Sequence, residues 1–178
     1  EFQDTDDVQW EIFSNIWQRF GEGLLLIGDP KQAIYQFRGA DVYTYINAKR
    51  SIPSHFSLDT NWRSRTSLVD AMNVLFDQHE VFGNDADIPF EPVKASPDAS
   101  RLTMTVGGTD VPPVALFTLP QGSKEKVLRL AMAHAAEEVS KLLASGRGET
   151  LINGKPIDAG QIAILVRSKR DARAARDA

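Results

Sequence analysis

Five side chains that can bind a nucleotide or a nucleic acid lie within eight residues: Lys31, Gln32, Tyr35, Phe37 and Arg38. They follow the apolar run 24–27, which predicts a strand buried on both faces of a parallel sheet. Because ligands of open α/β sheets bind beyond the carboxyl ends of the strands, the cluster predicts a functional loop. The alternative is a solvated loop with Phe37 packed into the core.

A second aromatic and basic pair, Trp62 and Arg63, follows residues 55–58, whose alternation predicts another strand. A guanidinium bonds phosphate oxygens in pairs, and a flat ring suits a nucleobase. Two such loops at adjacent strand ends would face one ligand, so the spacing indicates a nucleotide site. The alternative is that Trp62 caps the core while Arg63 pairs with a nearby acid such as Asp59.

The chain opens with an acidic cluster, formed by Glu1, Asp4, Asp6 and Asp7. One interpretation is that these carboxylates complement the dipole of a helix predicted over residues 6–20, with Asp6 or Thr5 near its cap. The other is that they handle a metal ion and water beside a phosphate. Composition alone favours the first.

The order of elements predicts an α/β fold. Apolar periodicity predicts further helices at 42–49, 65–77, 124–144 and from 167 onward. β-Branched and apolar runs predict further strands at 114–119 and 162–166, and an edge strand at 102–106. The pair Asn153-Gly154 predicts a hairpin. His134, on the long helix, is interpreted as a packed or half-exposed helix residue rather than as a ligand.

Composition sets broad limits on the function. The chain has 178 residues and no cysteine, which excludes disulfides and thiolate metal sites and fits a reducing cytoplasm. No apolar run approaches the roughly 20 residues that span a bilayer, so we expect no membrane partner. The net charge of −4 argues against a protein that binds nucleic acid through an overall positive charge. Any nucleic-acid contact must come from a local basic or stacking surface.

Four stretches in order resemble motifs of superfamily 1 DNA helicases of the UvrD/RecB-like type. Residues 1–5 resemble the tail of motif II, 28–41 motif III, 58–64 motif IV, and 158–168 the strand that follows motif IV. The residues at 2–6, 60–63 and 88–94 are most similar to those of RecB-type beta subunits of exodeoxyribonuclease V. Related UvrD-like helicases usually have tyrosine where Trp62 stands.

This resemblance implies parts of two RecA-like parallel-sheet motor domains, 1–54 and 55–178, with ATP and Mg²⁺ in the cleft between them. It implies an ATP-dependent DNA helicase and exonuclease subunit that translocates on single-stranded DNA in double-strand break repair and recombination. The implied partners are single-stranded DNA, duplex ends, and the gamma and alpha subunits of the same enzyme.

The resemblance also implies nucleotide roles for individual residues. Glu1 would activate the attacking water and stand at the metal, and Gln32 would sense the γ-phosphate. Trp62 would stack on adenine, and Arg63 would reach the γ-phosphate as an arginine finger. Each role fits the side chain, since a guanidinium stabilises the charge that develops in phosphoryl transfer.

On the DNA side, the resemblance implies that Phe37 stacks on a base of single-stranded DNA. Tyr35 and Arg38 would support the structural link that couples the nucleotide site to the bound DNA. Stacking suits this task because it tolerates any base.

The sequence departs from the family pattern because it contains no Gly-x-x-x-x-Gly-Lys-Ser/Thr phosphate loop. The last two motor motifs and the nuclease domain are also missing. We therefore expect an internal fragment of a longer protein that does not hydrolyse ATP alone. Two alternatives remain: a non-catalytic interaction domain with a helicase-like fold, and a nucleotide-binding ATPase domain without translocation.

Overall fold

The computed structural model describes residues 1–20, 23–33, 41–78, 81, 87–144 and 149–178. Within these ranges the protein is a mixed helix-and-sheet structure, and all five predicted helices are confirmed. The helices are α1 (Asp7–Phe20), α2 (Val42–Ser51), α3 (Thr66–Phe76), α4 (Lys124–Ala144) and α5 (Lys169–Arg176). No helix in the described ranges combines the length and the apolar character needed to cross a membrane.

Side-chain caps fix where several helices begin. Asp6 Oδ1 accepts a hydrogen bond from the backbone N of Gln9 at 2.7 Å, which confirms Asp6 as the predicted cap of α1. The carboxylate of Asp41 accepts from Tyr43 N at 3.0 Å and begins α2. Ser168 Oγ accepts from Asp171 N at 3.2 Å and begins α5. Each cap satisfies one of the backbone N–H groups that a helix leaves unpaired at its start.

The sheet structure consists of a short parallel pair and a four-stranded antiparallel sheet. In the parallel pair, Thr60 lies opposite Lys94 and Asn61 opposite Ala95. The pair comprises β1 (Thr60–Asn61) and β2 (Lys94–Ala95), and the antiparallel sheet comprises β3 (Met104–Val106), β4 (Thr109–Asp110), β5 (Thr150–Ile152) and β6 (Lys155–Pro156). The strand predicted at 102–106 is confirmed as β3, but the antiparallel order β4-β3-β5-β6 gives it a neighbour on both sides, so its predicted position at a sheet edge is wrong.

The predicted hairpin at Asn153-Gly154 is confirmed. It joins β5 to β6, and its two turn residues have φ values of 52° and 75°. Positive φ at both positions is the requirement of a type I′ turn, which asparagine and glycine meet at low cost. The sequence therefore determines this connection locally.

Four predicted strands, at 24–27, 55–58, 114–119 and 162–166, are not strands in the described part of the chain. They are also not buried: Leu25 is 76% exposed, Phe56 92% and Leu165 96%. The physical reason is that an apolar run favours burial but does not itself supply the neighbouring strand with which a ladder forms. The expectation of buried strands there is wrong for this chain.

The chain forms two compact units, residues 1–59 with 75–92 and residues 60–74 with 93–178. In the first, the ring of Phe2 packs against Trp10 and Tyr45, at centroid distances of 5.5 and 5.9 Å. In the second, α4 packs against α5, and His134 meets the ring of Phe117 edge to face at 4.2 Å. His134 is thus a packed helix residue. The motor-domain division at residues 54 and 55 stays a prediction.

Candidate nucleotide and nucleic-acid site

The loop after residues 24–27 is held by the chain start rather than by a sheet. Phe2 N donates to Ile27 O at 2.8 Å, and Asp29 N donates to the Oε1 of Gln3 at 3.3 Å. Gln3 is only 6% exposed. These two bonds tie the segment that contains Glu1 to the loop that contains Gln32. Two stretches given separate roles from the sequence are therefore one local structure.

Gly28 lies where this packing is closest. A Cβ at this position would stand 2.8 Å from Gln3 Oε1 and 3.0 Å from Gln3 N. A side chain at this position would therefore force Gln3 to shift and would disturb its hydrogen bond from Asp29 N. In addition, the hydroxyl of Tyr45 donates to Gly28 O at 3.4 Å.

Asp29 organises the polar end of the loop. Its Oδ1 accepts from Lys31 N at 3.1 Å and pairs with Lys31 Nζ at 2.7 Å. Its Oδ2 accepts from the side-chain amide of Gln32 at 3.0 Å. The same carboxylate caps the short 3₁₀ turn Pro30–Gln32, with proline at its first position. Asp29 therefore fixes the orientation of the predicted phosphate-sensing amide.

These contacts change the pKa of Asp29. Burial alone would raise it, but hydrogen bonds from Lys31 and Gln32 and the charge of Lys31 outweigh burial, so the pKa is lowered from the ordinary value of 3.8. A carboxylate with a lowered pKa in the folded state contributes stability above its unfolded pKa. That contribution is lost as pH falls through the folded pKa. The loop should accordingly loosen only below about pH 4.

We expect the Asp29 carboxyl carbon to titrate with a midpoint below 3.8 in a ¹³C NMR pH series. Lys31→Gln should raise that midpoint, because it removes both the charge and the ion pair. Lys155→Gln, an exposed lysine of β6, is the matched control and should leave the midpoint unchanged. A midpoint at or above 3.8 in the unaltered chain would show that Asp29 does not hold this loop.

Tyr45 borders the same loop, and its pKa is raised, first by burial and then by the negative charge of Asp29. Its phenol therefore stays protonated across the physiological range and acts as a donor toward Gly28 O. Its ring also lies against Phe2. Tyr45 thus supports the loop from α2.

The acidic chain start divides into exposed and buried parts. Glu1 is exposed, whereas Asp4 has a buried Oδ1 for which the structure provides no hydrogen-bond partner. Among the described residues, no group of three or more His, Asp or Glu side chains is placed to hold a metal ion. Mg²⁺ usually binds through one or two carboxylates together with substrate phosphates and water. A single carboxylate at Glu1 fits that pattern.

The turn that contains Trp62 and Arg63 is fixed by Asn61. The Oδ1 of Asn61 accepts from Arg63 N and from Ser64 N, each at 2.9 Å. This Asx turn follows directly from a strand residue, because Asn61 is paired with Ala95 in the parallel ladder. Its backbone O also accepts from Ser96 N at 3.0 Å. The two functional candidates therefore stand on a turn with little backbone freedom.

Two further residues anchor the helix that follows the turn. Arg65, whose side chain is 14% exposed, donates to Asp110 Oδ1 at 2.9 Å and to Val111 O. Asn73 exchanges two hydrogen bonds with the backbone of Val93, at 2.8 and 3.2 Å. These contacts hold both ends of the part of α3 that belongs to the second unit. Arg65 is thus a structural residue, although it stands two positions after Arg63.

Trp62 and Arg63 themselves point outward. Trp62 is 70% exposed, so the alternative in which it caps the core is wrong. Arg63 is also exposed and makes no ion pair with any residue that the structure describes. An exposed ring next to an exposed guanidinium on a hydrogen-bonded turn can stack on a base and bind a phosphate.

The DNA-binding predictions for Tyr35, Phe37 and Arg38 lie outside the described residues. The structure instead adds four positioning residues that sequence reasoning did not single out: Gln3, Asp29, Asn61 and Arg65. Two had a readable signal, since Asn61 stands two residues before Arg63 as in an Asx turn, and Asp29 precedes a proline at a helix start. The contacts of Gln3 and Arg65 link residues distant in sequence, which no local pattern indicates.

Comparison with known proteins agrees with the motif order. The model of the UvrD/REP helicase N-terminal domain matches residues 1–53. The RecBCD enzyme subunit RecB of Escherichia coli (strain K12) is 41% identical over 186 aligned residues, which cover 100% of this chain and 16% of that protein. The RecB subunit of Buchnera aphidicola subsp. Acyrthosiphon pisum is 37% identical, covering 97% of the chain and 15% of that protein.

The RecBCD enzyme subunit RecB of Mycobacterium tuberculosis (strain CDC 1551 / Oshkosh) is 34% identical over 100% of this chain and 16% of its own length. The chain therefore belongs to the UvrD-like helicase family. Within that family it is a RecB-type sequence along its whole length, and it spans only 14–16% of the relatives described above and of their counterpart from Haemophilus influenzae.

Proposed function

We propose that this chain forms part of an ATP-driven DNA motor of the RecB type, built from RecA-like domains, and contributes half of its nucleotide site. The observation that carries the proposal is the Asn61-fixed turn, which presents an exposed Trp62 and an exposed Arg63 next to each other. A flat ring and a planar cation in this arrangement match the two ends of a nucleotide, base and phosphate.

The loop at Asp29, in the first unit, is by itself a candidate for contact with a phosphate. Gln32 is exposed, and its amide is already oriented by Asp29, so a small rotation of the side chain can exchange that carboxylate for a phosphate oxygen. Glu1 is joined to the same loop by the bonds of Phe2 and Gln3, which suits a carboxylate that orients an attacking water. Bound Mg²⁺ would neutralise phosphate charge beside Glu1.

We further propose that Phe37 stacks on a base of single-stranded DNA, with Tyr35 and Arg38 beside it, as the family resemblance implies. The parent would act on single-stranded DNA and duplex ends in double-strand break repair, as a helicase and exonuclease with gamma and alpha subunits. Support comes from the relatives described above, which are RecB subunits of the RecBCD enzyme.

The test is an ATPase and unwinding assay on the full-length RecB-type protein that contains this sequence, assembled with its gamma and alpha subunits. We expect ATP hydrolysis that single-stranded DNA stimulates, together with unwinding of duplex ends, and no hydrolysis by residues 1–178 alone. An ATP hydrolysis rate that single-stranded DNA does not change would instead support an ATPase domain without translocation. Absence of nucleotide binding by the full protein would support a non-catalytic interaction domain.

A further inference from the structure

The turn at 62–64 is attached at both ends to other parts of the second unit. Asn61 pairs with Ala95 in the parallel ladder, and the side chain of Arg65 contacts the end of β4 in the antiparallel sheet. Three residues lie between these attachments, and Arg63 is the middle one. The position of the Arg63 backbone therefore depends on the antiparallel sheet as well as on the Asx turn.

Arg65 holds the antiparallel sheet with both branches of its guanidinium. Its Nη1 donates to Asp110 Oδ1 at 2.9 Å, and its Nη2 donates to Val111 O. The side chain of Arg65 is 14% exposed, whereas that of Asp110 is 66% exposed. A planar guanidinium that binds two acceptors at once fixes direction as well as distance. The contact therefore holds the end of β4 in one orientation relative to the backbone at Arg65.

The acceptors of Arg65 belong to a connected ladder. Asp110 lies opposite Thr105 of β3, and β3 is paired in turn with β5. The backbone N of Val111 also donates to Met104 O at 2.9 Å. Arg65 is thus joined to three hydrogen-bonded strands rather than to a single loop, so a shift of the sheet would be passed to the turn.

The needs of α3 do not explain an arginine at this position. Arg65 directly precedes α3, where Ser, Thr, Asp and Asn are preferred because their side chains bond the free N–H groups of the first turn. A cation there also opposes the helix dipole. The side chain of Arg65 instead reaches 45 residues along the chain, to Asp110. The contact with the sheet thus accounts for the arginine better than the helix does.

We propose that the antiparallel sheet positions Arg63 for catalysis through Arg65, so that ATP turnover depends on the Arg65–Asp110 pair. Arg65 is then a positioning residue that need not touch the nucleotide. The inference rests on the proposed function, because it takes Arg63 as the arginine finger. Its physical reason is that a misplacement of about 1 Å in a catalytic group can cost about 100-fold in rate.

The test uses the full-length RecB-type protein that contains this sequence, assembled with its gamma and alpha subunits. Arg65→Ala removes both contacts, and Asp110→Asn removes the ion pair from an exposed side chain, so the second variant should fold even where the first does not. The matched control is Asp98→Asn, which breaks the exposed pair of Asp98 with Arg101 at 3.0 Å in the same unit. ATPase kinetics with single-stranded DNA and thermal melts are measured for each variant.

We expect Arg65→Ala to lower kcat by about 10- to 100-fold. The KM for ATP should stay nearly unchanged, because an arginine finger acts in the transition state rather than in the ground state. Asp110→Asn should lower kcat less, since the bond to Val111 O remains. Arg65→Lys should retain more turnover than Arg65→Ala, because an ammonium group can still pair with Asp110. Asp98→Asn should leave kcat unchanged.

Combination with Arg63→Ala separates positioning from a merely stabilising role. If Arg65 acts through Arg63, Arg65→Ala should cause no further loss of single-turnover rate in an Arg63→Ala protein. The same fold loss in both backgrounds would overturn the proposal, as would a normal kcat in both Arg65→Ala and Asp110→Asn. A normal kcat in Arg63→Ala would contradict the proposed nucleotide site and the positioning role with it. A defective Arg63→Ala beside a normal Arg65→Ala would contradict the positioning role alone, so the two failures are distinguishable.

Discussion

Arg63→Ala is expected to lower the ATP turnover number of the full-length protein by about 10³–10⁵-fold, with little change in nucleotide affinity. The reason is that an arginine finger meets charge that develops only in the transition state, so its loss affects kcat rather than ground-state binding. The structure supports the expectation through the exposure of Arg63 and the two hydrogen bonds by which Asn61 fixes its turn. Steady-state ATPase assays with single-stranded DNA measure the effect.

Two controls sharpen this prediction. Arg63→Lys should restore little activity, because a point charge does not replace a planar fork. Arg101→Ala is the matched control, since Arg101 is an 83% exposed arginine of the same unit that pairs with Asp98 next to its own short turn. It should leave turnover unchanged. An Arg63→Ala protein with normal turnover would remove Arg63 from the nucleotide site.

The helices could be predicted from sequence because their determinants are local. The apolar spacing and the capping residues of α1 and α2 lie within a few positions of the ends they set, and α4 runs over the predicted range 124–144. The hairpin at Asn153-Gly154 is local in the same sense, because two residues alone impose its turn type.

Four of the predicted strands, in contrast, are not strands in the described ranges. The run 24–27 has the composition of a buried strand, yet it forms no ladder with the described part of the chain, and Leu25 is 76% exposed. In contrast, β1 and β2 are short and polar and still pair, because the ladder depends on which segments meet in space. Pairing is a non-local property, and a one-dimensional pattern cannot specify it.

In the candidate site, the residues that can bind a ligand could be predicted from the sequence. The motif resemblance indicates Gln32, Trp62 and Arg63, whose side chains can bind a base or a phosphate. The same stretches contain Asp29 and Asn61, which orient the two loops through hydrogen bonds to nearby backbone and amide groups, but the resemblance implied no role for these two residues. Asp29 and Asn61 orient side chain and backbone within their own loops, whereas the first loop is also held by Phe2 and Gln3, which lie far from it in sequence.

Trp62→Ala tests the other half of the turn and should act on binding rather than on chemistry. Loss of a stacked base is worth about 1–3 kcal/mol, which corresponds to about a 5- to 150-fold rise in the KM for ATP. The kcat should change little, since stacking is present equally in the ground state and the transition state. Because Trp62 is 70% exposed, the melting temperature should also stay close to that of the unaltered protein.

Trp62→Tyr separates stacking from any other role of the ring. A tyrosine keeps a flat face at the same position on the Asn61-fixed turn, so the KM should stay within a few-fold of the unaltered value. ATPase kinetics on both variants, with thermal melts alongside, provide the readout. A Trp62→Ala protein with unchanged KM would show that no base lies on this ring. One with a collapsed melting temperature would place the indole in the core, against its exposure, and Arg63 would then lose the neighbour that defines the base end of the proposed site.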